Sequence, residues 1–581
     1  MKKRNEIMEK ILKNKSNISL TILFIALTLF FAISFRYVYK VEYKSLQGTH
    51  SWLSGSTIKF VSNWLSESPF KLHFVNFESP NSIEFNEITE RGPYISYPSG
   101  CTFMVYCFAK IIGKTTIGVY FLKHLQVLFF WLEVLLLSLF VYKFLARNGI
   151  TSEKERLLCA FCTAAFWAWI PTNVWYLANV YFADQCVIFF VMAFLLVEYE
   201  SYFCENEKKA LILNCLKSFL ILAGVLIDYY FWILTFVAFV LQIFFGIRER
   251  KSASEIIKKS LWYAVPVILA LILYAYQLFS IPNWKVILKN KFLFRAGISK
   301  NQYNTQAAIT GGLRNNFLAA FGLKNFKFLF WLVAIIFVYF DLKKKNASFG
   351  KNVAIITLGF LAPVLQVALL KNHSAIHEFS MIKFGWCFAM LPILTALLLA
   401  KIAEKKEIGT KKQIFEFTPF FHSFAVAFIL LLLVTGVPTS SKNFYNSRLG
   451  GLPDYKLAYI LREHTSYENV CFSFTEEIAE NPPQNLAISR KRVYRIKTKD
   501  EMNTLFPNLK KEAVKIFVID KNKLNGLSDE QKAVQIALLA KNEVLYEDSV
   551  YCLLKISTLD TYVEDYFDSL FEDAKDYVNA D

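Results

Sequence analysis

Lysine and arginine are concentrated in every second connection between long apolar runs, and this alternation constrains the fold more than any other feature. The basic connections are residues 2–15, 143–156, 248–259, 343–345 and 401–412. A membrane-spanning helix needs about 20 apolar residues, and basic loops stay on the cytoplasmic side. The pattern predicts a polytopic α-helical membrane protein with about eleven transmembrane helices. The apolar runs begin near Ile18, Ile117, Leu157, Tyr181, Ala210, Tyr230, Ser260, Phe326, Asn352, Met381 and Phe417.

The composition agrees with a membrane protein. Of the 581 residues, 55% are hydrophobic and 57 are phenylalanine, which is more apolar surface than a soluble protein can bury. The formal charge of +18 belongs mainly to the cytoplasmic loops, where it meets anionic lipid headgroups. The basic segments lack the fold context of a nucleic-acid reader. Membrane lipids are therefore expected partners, and nucleic acid is not.

The first apolar run sets the topology. Residues 18–35 are uncharged; the run is longer than the apolar part of a signal peptide, and no small-residue cleavage site follows it. It is predicted to be a signal anchor of a multi-pass protein of the cell membrane. The predicted regions are a cytoplasmic N-terminus (1–17), a membrane domain (18–437) with long outer loops at 38–114 and 282–325, and an extracytoplasmic C-terminus (438–581). The outer side then holds His50, Arg91, Asp184, Arg295, His373 and His377.

From about residue 438 the sequence has the pattern of a soluble domain. Strand-like runs at 470–474, 493–496, 516–519 and 551–556 alternate with helical runs at 455–463, 499–505 and 528–541. This order predicts a small extracytoplasmic α/β domain with an acidic tail. The domain has no glycine-rich phosphate loop, so no catalysis is assigned to it. Cys471 and Cys552 fall in predicted strands, either as a disulfide or as two core thiols.

The first outer loop contains two amphipathic segments. In residues 51–66, Trp52, Phe60 and Trp64 share one face of a predicted helix, and tryptophan favours the membrane interface. We therefore expect this helix to lie on the outer membrane surface. A second segment, residues 101–112, follows a rigid turn made by Pro98 and Gly100.

This plan resembles the GT-C superfamily of membrane glycosyltransferases, near its protein O-mannosyltransferase and aminoarabinose-transferase branch. The resemblance rests on His50-Ser51-Trp52, on residues 91–100, and on Asp184 at the outer start of the fourth run. Tyr97-Pro98-Ser99-Gly100 is similar to the His/Tyr-Pro-Pro-Leu/Gly turn of that superfamily. The resemblance implies transfer of a sugar from a polyprenyl-phosphate donor to a glycan, lipid or protein acceptor on the extracytoplasmic face, with inversion.

The chain departs from the superfamily at its usual catalytic carboxylate. The position after the first span reads Gly48-Thr49-His50. A histidine, with an ordinary pKa of about 6.5, is a competent base near neutral pH. We therefore predict His50 as the base and Asp184 as its orienting partner or as the base itself. The alternatives are an interfacial loop residue for His50 and a helix cap for Asp184. Asp228 is a weaker case of the same kind.

The donor phosphate needs cations or hydrogen-bond donors. The predicted substrate-binding residues are Arg91, Tyr97, Lys289, Arg295, His373 and His377. Arg91 precedes the rigid turn, where it clamps phosphate or braces Glu84 or Glu87. The basic cluster from Lys289 to Arg295 lies in an exported loop, where it contacts an anionic lipid or is simply solvated.

His373 and His377 lie four residues apart, a spacing that places them on one helical face. Such a pair contacts phosphate together with Lys371, or a divalent metal if Glu378 or Asp184 completes the site. No cofactor is required by the sequence, and the metal is the less favoured alternative.

Two other functional classes remain open. A transporter or flippase of lipid-linked glycans would carry charges or broken helices at the bilayer midplane, whereas the candidates here lie at the outer edge. A glycan polymerase or ligase would use a lipid-diphosphate donor.

Overall fold

The computed structural model describes residues 2–36, 45–80, 91–299, 305–321, 347–405, 418–437, 439–496, 501 and 514–556. Most of this chain is helical. The helices up to residue 449 are α1 (Lys2–Ser34), α2 (Ser51–Glu67), α3 (Gly100–Ile111), α4 (Val119–Arg147), α5 (Glu153–Trp169), α6 (Ala183–Tyr202), α7 (Glu207–Val225), α8 (Tyr229–Arg248), α9 (Ala253–Phe279), α10 (Trp284–Ala296), α11 (Gln306–Phe321), α12 (Ala347–Leu369), α13 (Lys371–Ile376), α14 (Gly385–Lys405), α15 (Pro419–Thr435) and α16 (Thr439–Leu449). Short strands β1 (Asn76–Phe77) and β2 (Pro93–Tyr94) pair antiparallel in the first outer loop.

The apolar runs fold as helices. All but one of the predicted runs fall within them, and the run near Phe326 lies outside the described residues. In the described part of the chain, 6 helices are long and apolar enough to cross a membrane. Helix α5 has only 17 residues, and α6 and α7 carry glutamates or lysines along their lengths. The multi-pass helical architecture is thus confirmed, while the count of eleven spans and the sidedness of the loops remain predictions.

The polar connections between apolar runs contain residues that cap the helix that follows. Ser152, Asn206 and Ser252 each accept a hydrogen bond from the backbone N–H three residues later. Asp228 accepts one from the N–H of Tyr230 at 2.6 Å. Such caps satisfy backbone donors that the first helical turn leaves without partners.

The placement predicted for α2 is wrong, because this helix is buried. All of its residues from Leu53 to Trp64 are buried, and the Trp64 indole donates to the Val75 carbonyl at 2.9 Å. The face with Ser54, Gly55 and Ser56 packs against the later helix Pro483–Ser489, where a Cβ on Gly55 would lie 3.1 Å from the Gln484 Cα. Small residues permit this close approach, which the predicted position on the membrane surface did not include.

The C-terminal region forms a five-stranded sheet in the order β4-β3-β5-β7-β6. Its strands are β3 (Val470–Ser473), β4 (Val493–Arg495), β5 (Lys515–Asp520), β6 (Glu543–Glu547) and β7 (Tyr551–Ile556), and its helices are α17 (Lys456–His464), α18 (Pro483–Ser489) and α19 (Asp529–Lys541). Strands β4, β3 and β5 run parallel, whereas β7 pairs antiparallel with both β5 and β6.

The four predicted strands are present, and β6 and α18 are additions to them. Cys471 and Cys552 are buried free thiols, so the disulfide alternative is wrong. The helix predicted over 499–505, apart from residue 501, and the acidic tail lie outside the described residues.

The segment that joins α16 to this sheet holds the loop before α2. The Thr49 N–H donates to the Arg448 carbonyl at 2.8 Å, and the Gln47 amide donates to the Gly450 carbonyl at 2.9 Å. On the other side, the Trp175 indole donates to the Thr49 carbonyl at 3.0 Å. These contacts fix the position of His50, which is the next residue.

Candidate active site

Two buried carboxylates are bridged by one lysine at the ends of α6 and α8. Asp184 lies in the first turn of α6, and Asp228 caps α8. Lys383 Nζ lies 2.7 Å from Asp184 Oδ1 and 3.0 Å from Asp228 Oδ2. All three side chains are at most 2% exposed. Unpaired charges are costly in such a place, so the three groups must be explained together.

The sequence prediction did not include Lys383. It lies in the short 3₁₀ helix Glu378–Phe384 that leads into α14, within the run predicted to begin near Met381. A lone charge inside an apolar run at membrane depth demands a partner or a function. The same energetic cost applies to Asp184, and it would have identified Lys383 from the sequence.

Tyr97 connects the rigid turn to this cluster. Its hydroxyl donates to Asp184 Oδ2 at 2.8 Å and lies 3.1 Å from His373 Nε2. Burial and the nearby charge of Asp184 raise the pKa of Tyr97 well above its ordinary value, so the phenol keeps its proton. Tyr97 therefore acts as a fixed hydrogen-bond donor to the carboxylate.

Two cations from α10 close over the same turn. The Arg295 guanidinium lies 4.4 Å from the centre of the Tyr97 ring and donates to the Ser96 carbonyl at 2.6 Å. Lys291 Nζ donates to Ser96 Oγ at 2.8 Å. Burial and the charge of Arg295 lower the pKa of Lys291. Within the basic cluster, Lys291 and Arg295 are thus held against the turn rather than left solvated.

Three histidines extend the cluster in a row. The ring centres of His373 and His377 lie 4.8 Å apart, and those of His377 and His50 lie 6.0 Å apart. His373 Nε2 lies 4.0 Å from Asp184 Oδ1. His50 has a left-handed backbone, φ 61°, which is uncommon outside glycine and recurs at functional sites.

The electrostatics keep these imidazoles neutral. Burial lowers the pKa of His50 and of His373. Burial, together with repulsion from His373 and His50, lowers the pKa of His377 to about 3. Within the described part of the chain, the Nδ1 atoms of His50 and His377 are buried and have no hydrogen-bond partner. Buried polar atoms normally have one, so these two atoms are unusual in the fold.

Behind the histidines, Glu378 forms a second, partly buried ion pair. Arg448 donates through Nε to Glu378 Oε1 at 2.6 Å and through Nη2 to Oε2 at 2.7 Å. The Tyr176 hydroxyl donates to Oε1 at 2.5 Å. Arg448 belongs to α16 and also holds Thr49, so the chain beyond the membrane helices supports the His50 loop. The sequence prediction missed Arg448, because its partner Glu378 is far away in the sequence and no local motif links the two residues.

Two cavities meet beside Ser96. A mainly apolar cavity of about 740 Å³ is lined by aromatic and aliphatic residues of α8, α9 and α10, with Lys289 at its edge. A polar cavity of about 400 Å³ is lined by Asn290, Phe294, His373 and His377. Ser96, Lys291 and Arg295 line both cavities. The junction between an apolar and a polar space is therefore positively charged.

Comparison with known proteins gives a fold and no close relative. No family model matches the sequence, and no curated protein matches it. Oligosaccharyltransferase AglB of Archaeoglobus fulgidus, solved with an inhibitory peptide and a dolichol-phosphate, is similar with a TM-score of 0.50 and 10% identity over 88% of this chain and 70% of that one. This chain has a GT-C-like fold. That likeness confirms the fold expected from the turn and the outer-face residues.

Other GT-C structures are less similar. An oligosaccharyltransferase of Archaeoglobus fulgidus in its apo form has a TM-score of 0.48 and 12% identity, covering 89% of this chain and 71% of that one. ArnT of Cupriavidus metallidurans bound to undecaprenyl phosphate has a TM-score of 0.42 and 10% identity, covering 93% and 99%.

The side chains of the candidate active site do not fit a divalent metal. A structure of the archaeal oligosaccharyltransferase contains Zn and sulfate. Here the described residues hold no group of three or more metal-ligating side chains. The Lys383 ammonium already lies between the two carboxylates that would hold a cation, and Glu378 is saturated by Arg448 and Tyr176. No metal-dependent step is derived for this site.

Two of the predicted residues lie apart from the centre of the candidate active site. Arg91 forms a two-fold hydrogen-bonded pair with Glu67 at 2.9 and 3.1 Å and lies 4.7 Å from the centre of the Phe77 ring. It braces the first outer loop, although Glu84 and Glu87, its predicted partners, lie outside the described residues. Lys289 is exposed at the rim of the apolar cavity.

Proposed function

We propose that this chain is a glycosyltransferase that moves a sugar from a polyprenyl-phosphate donor to an acceptor on the extracytoplasmic face of the cell membrane. The reaction is base-assisted and inverts the anomeric carbon. The observation that carries the proposal is the position of Arg295 and Lys291. They stand where a large apolar cavity meets a small polar one.

That junction matches the chemistry of a lipid-linked sugar. The isoprenoid chain fits the apolar cavity, whose walls include Trp232, Tyr274 and Leu278. The phosphate then lies beside Arg295 and Lys291, where charge-assisted hydrogen bonds are strongest. Lys289, at the rim of this cavity, attracts the phosphate while the lipid enters from the bilayer. The sugar extends into the polar cavity toward His373 and His377.

The AglB structure supports a donor of this class. It contains a dolichol-phosphate, a polyprenyl phosphate, and this chain shares its fold. The contact with phosphate proposed for His373 and His377 is that of neutral hydrogen-bonding groups, because burial keeps both imidazoles uncharged.

In the transfer, the acceptor oxygen attacks the anomeric carbon on the face opposite the phosphate. A new carbon–oxygen bond forms as the bond from the anomeric carbon to the phosphate oxygen breaks, and its electron pair stays on the phosphate. Arg295 and Lys291 stabilise that developing charge. The acceptor hydroxyl proton passes to the imidazole of His50, whose Nδ1 atom has no hydrogen-bond partner among the described residues.

Asp184 is better placed to orient groups than to accept the proton. One of its oxygens accepts from Lys383 and the other from Tyr97. With both oxygens occupied and the side chain buried, Asp184 fixes the positions of Tyr97 and His373. The charge of a bound phosphate raises the pKa of the nearby imidazoles, which makes them more effective bases in the complex than in the free protein.

A flippase is less well supported by this arrangement. The buried charges of the site lie at the first turns of α6 and α8 and in the turn before α14, not at the middle of a membrane helix. A polymerase or ligase would share the site but take a lipid diphosphate.

The decisive assay measures sugar transfer by the purified, reconstituted full chain from a panel of polyprenyl-monophosphate and polyprenyl-diphosphate sugars. We expect turnover of a monophosphate donor and a loss of about 100-fold in Arg295→Ala, since removing a charge-stabilising donor costs this much. Arg314→Ala is the matched control, because Arg314 is exposed in α11 and lines neither cavity. Turnover of diphosphate donors alone would favour the polymerase class, and lipid movement without transfer would favour a flippase.

A further inference from the structure

A second polar cavity, of about 350 Å³, lies at the opposite end of the helices from the candidate active site. It is lined by the last turns of α6 and α8 and the first turns of α7, α9 and α12. Asp184 lies at the start of α6, whereas Ser201 near its end lines this cavity. At 1.5 Å per residue, the two lie about 25 Å apart. The charge pattern of the sequence predicts that this end faces the cytoplasm.

The lining carries an excess of positive charge. Four lysines line the cavity, namely Lys217, Lys251, Lys259 and Lys351, against the two glutamates Glu205 and Glu249. Nearby carboxylates engage three of the lysines: Lys217 with Glu198 at 3.2 Å, Lys251 with Glu249 at 2.5 Å, and Lys259 with Glu255 at 3.2 Å.

Lys351 differs from these three. Among the residues the structure describes, no carboxylate lies within ion-pair distance of Lys351, and its Nζ lies 4.9 Å from the centre of the Phe203 ring. Glu249 and Glu205 act on the ammonium only from a distance, and Lys251 and Lys259 repel it. A half-buried ammonium in this setting is unfavourable unless an anion completes its surroundings. Lys351 is therefore the group of this cavity that most needs a ligand.

Neutral donors surround the same space. Gln242 accepts a hydrogen bond from the Ser260 hydroxyl at 2.9 Å through its amide oxygen, which leaves its NH₂ group to donate. Trp262, whose indole N–H is a donor, and Asn214 also line the cavity. Ammonium, amide and indole donors around one space suit the oxygens of a phosphate.

The surroundings favour a lipid as the source of that phosphate. Ile212, Phe244 and Ile257 are 66%, 52% and 61% exposed on α7, α8 and α9, the helices that carry the cavity. Such surfaces face acyl chains in a membrane protein. Tryptophan favours the headgroup level, and the cytoplasmic leaflet is rich in anionic lipids.

We propose that this cavity binds the phosphate headgroup of an anionic phospholipid of the cytoplasmic leaflet, with Lys351 and Lys259 as its principal cations. The site is separate from the sugar-transfer site and does not depend on the proposed function. Its occupation ties together the inner ends of five helices and stabilises the helical domain.

The test measures thermal unfolding of the purified full chain in detergent with added phosphatidylglycerol, phosphatidylcholine or inorganic phosphate. We expect phosphatidylglycerol, and not phosphatidylcholine, to raise the unfolding temperature. Lys351→Gln should weaken the apparent affinity for phosphatidylglycerol by about tenfold, the effect of losing one charge-assisted contact. Lys351→Arg should keep the effect. Lys258→Gln should also keep it, because Lys258 is exposed on α9 outside the cavity.

Equal affinity for phosphatidylglycerol in wild type and in both Lys351→Gln and Lys259→Gln would overturn the proposal. Stabilisation by inorganic phosphate at the same concentrations would identify a soluble ligand and equally reject the lipid. Measuring Lys259→Gln separately keeps the test valid if Lys351→Gln does not fold. None of these readouts involves sugar transfer, so they are independent of the proposed enzyme activity.

Discussion

Lys383 Nζ lies 2.7 Å from an oxygen of Asp184, and both side chains are only 1% exposed. The two residues come from separate helical segments that meet at the start of α6. A buried ammonium and carboxylate at this distance form a charge-assisted hydrogen bond in a setting of low dielectric constant. The pair holds Asp184 in its ionised form and in one orientation, and the rest of the candidate active site is arranged around it.

Removing the ammonium should destabilise the fold. Lys383→Met leaves two buried carboxylates facing each other, and breaking such a pair costs about 3–5 kcal/mol. We expect a marked fall in the unfolding temperature and loss of transfer activity. A Lys383→Met/Asp184→Asn double variant should recover part of the stability, since one uncompensated charge is gone, but no activity. Equal stability of the single variant and wild type would refute the pairing.

Chelation should leave the wild-type enzyme active. Because Lys383 occupies the space between Asp184 and Asp228, we expect the same transfer rate after treatment with EDTA and no stimulation by added Mn²⁺ or Mg²⁺. The measurement is the rate before and after chelation and metal replacement. A rate that falls with EDTA and returns with a divalent cation would contradict this account of Lys383.

The Tyr97 hydroxyl should matter more than its ring. Tyr97→Phe keeps the stacking under Arg295 but removes the hydrogen bond to Asp184, so we expect a loss of about 1–3 kcal/mol in stability and lower turnover. Tyr106→Phe is the control, since Tyr106 is a partly buried tyrosine of α3 outside the cluster. Unchanged turnover in Tyr97→Phe would remove the hydroxyl from the mechanism.

Acid should destabilise the protein through its histidines. The pKa of His377 is lowered to about 3, whereas an unfolded histidine titrates near 6.5. Between these values the unfolded chain binds the proton and the folded one does not, so stability rises with pH. His377→Gln should flatten the pH dependence of the unfolding temperature from about pH 6.5 downward. His124→Gln, in an exposed position, should not; an identical slope in both variants would show that His377 is not protected from protonation.

The Glu378–Arg448 pair should act as one unit. Arg448→Ala leaves Glu378 charged and exposes the His50 loop, so transfer activity should fall. Adding Glu378→Gln should cost little more, because residues in contact are not additive. The check is a double-mutant cycle on the transfer rate; additive effects would show that the two side chains act separately.

The charge pattern predicted which residues share a face. Tyr97, Asp184, Arg295 and His373 are far apart in sequence but lie within one contact network. The distribution of lysine and arginine among the loops predicted that these residues share one side, because a residue's side depends only on the topology. It did not predict their pairing, because contacts between distant segments depend on how the helices pack.

Three contacts of the site were not predicted, and each has an identifiable physical cause. Lys383 was missed because a single charge disappears when hydropathy is averaged over a run. Arg91 was expected to clamp phosphate or to brace Glu84 or Glu87; the structure pairs it with Glu67, at the end of a helix that is buried. Asp228 was treated as a weak candidate, because a short turn was enough to explain a polar residue there. The structure shows that Asp228 also binds Lys383.

The central claim is that Arg295 and Lys291 hold the donor phosphate where the two cavities meet. The most direct measurement is the equilibrium affinity of the reconstituted protein for a polyprenyl phosphate without sugar, in wild type, Arg295→Ala, Lys291→Ala and the exposed control Arg314→Ala. We predict a loss of at least about tenfold for each of the first two variants and none for the control. Equal affinity in all four proteins would contradict the assignment.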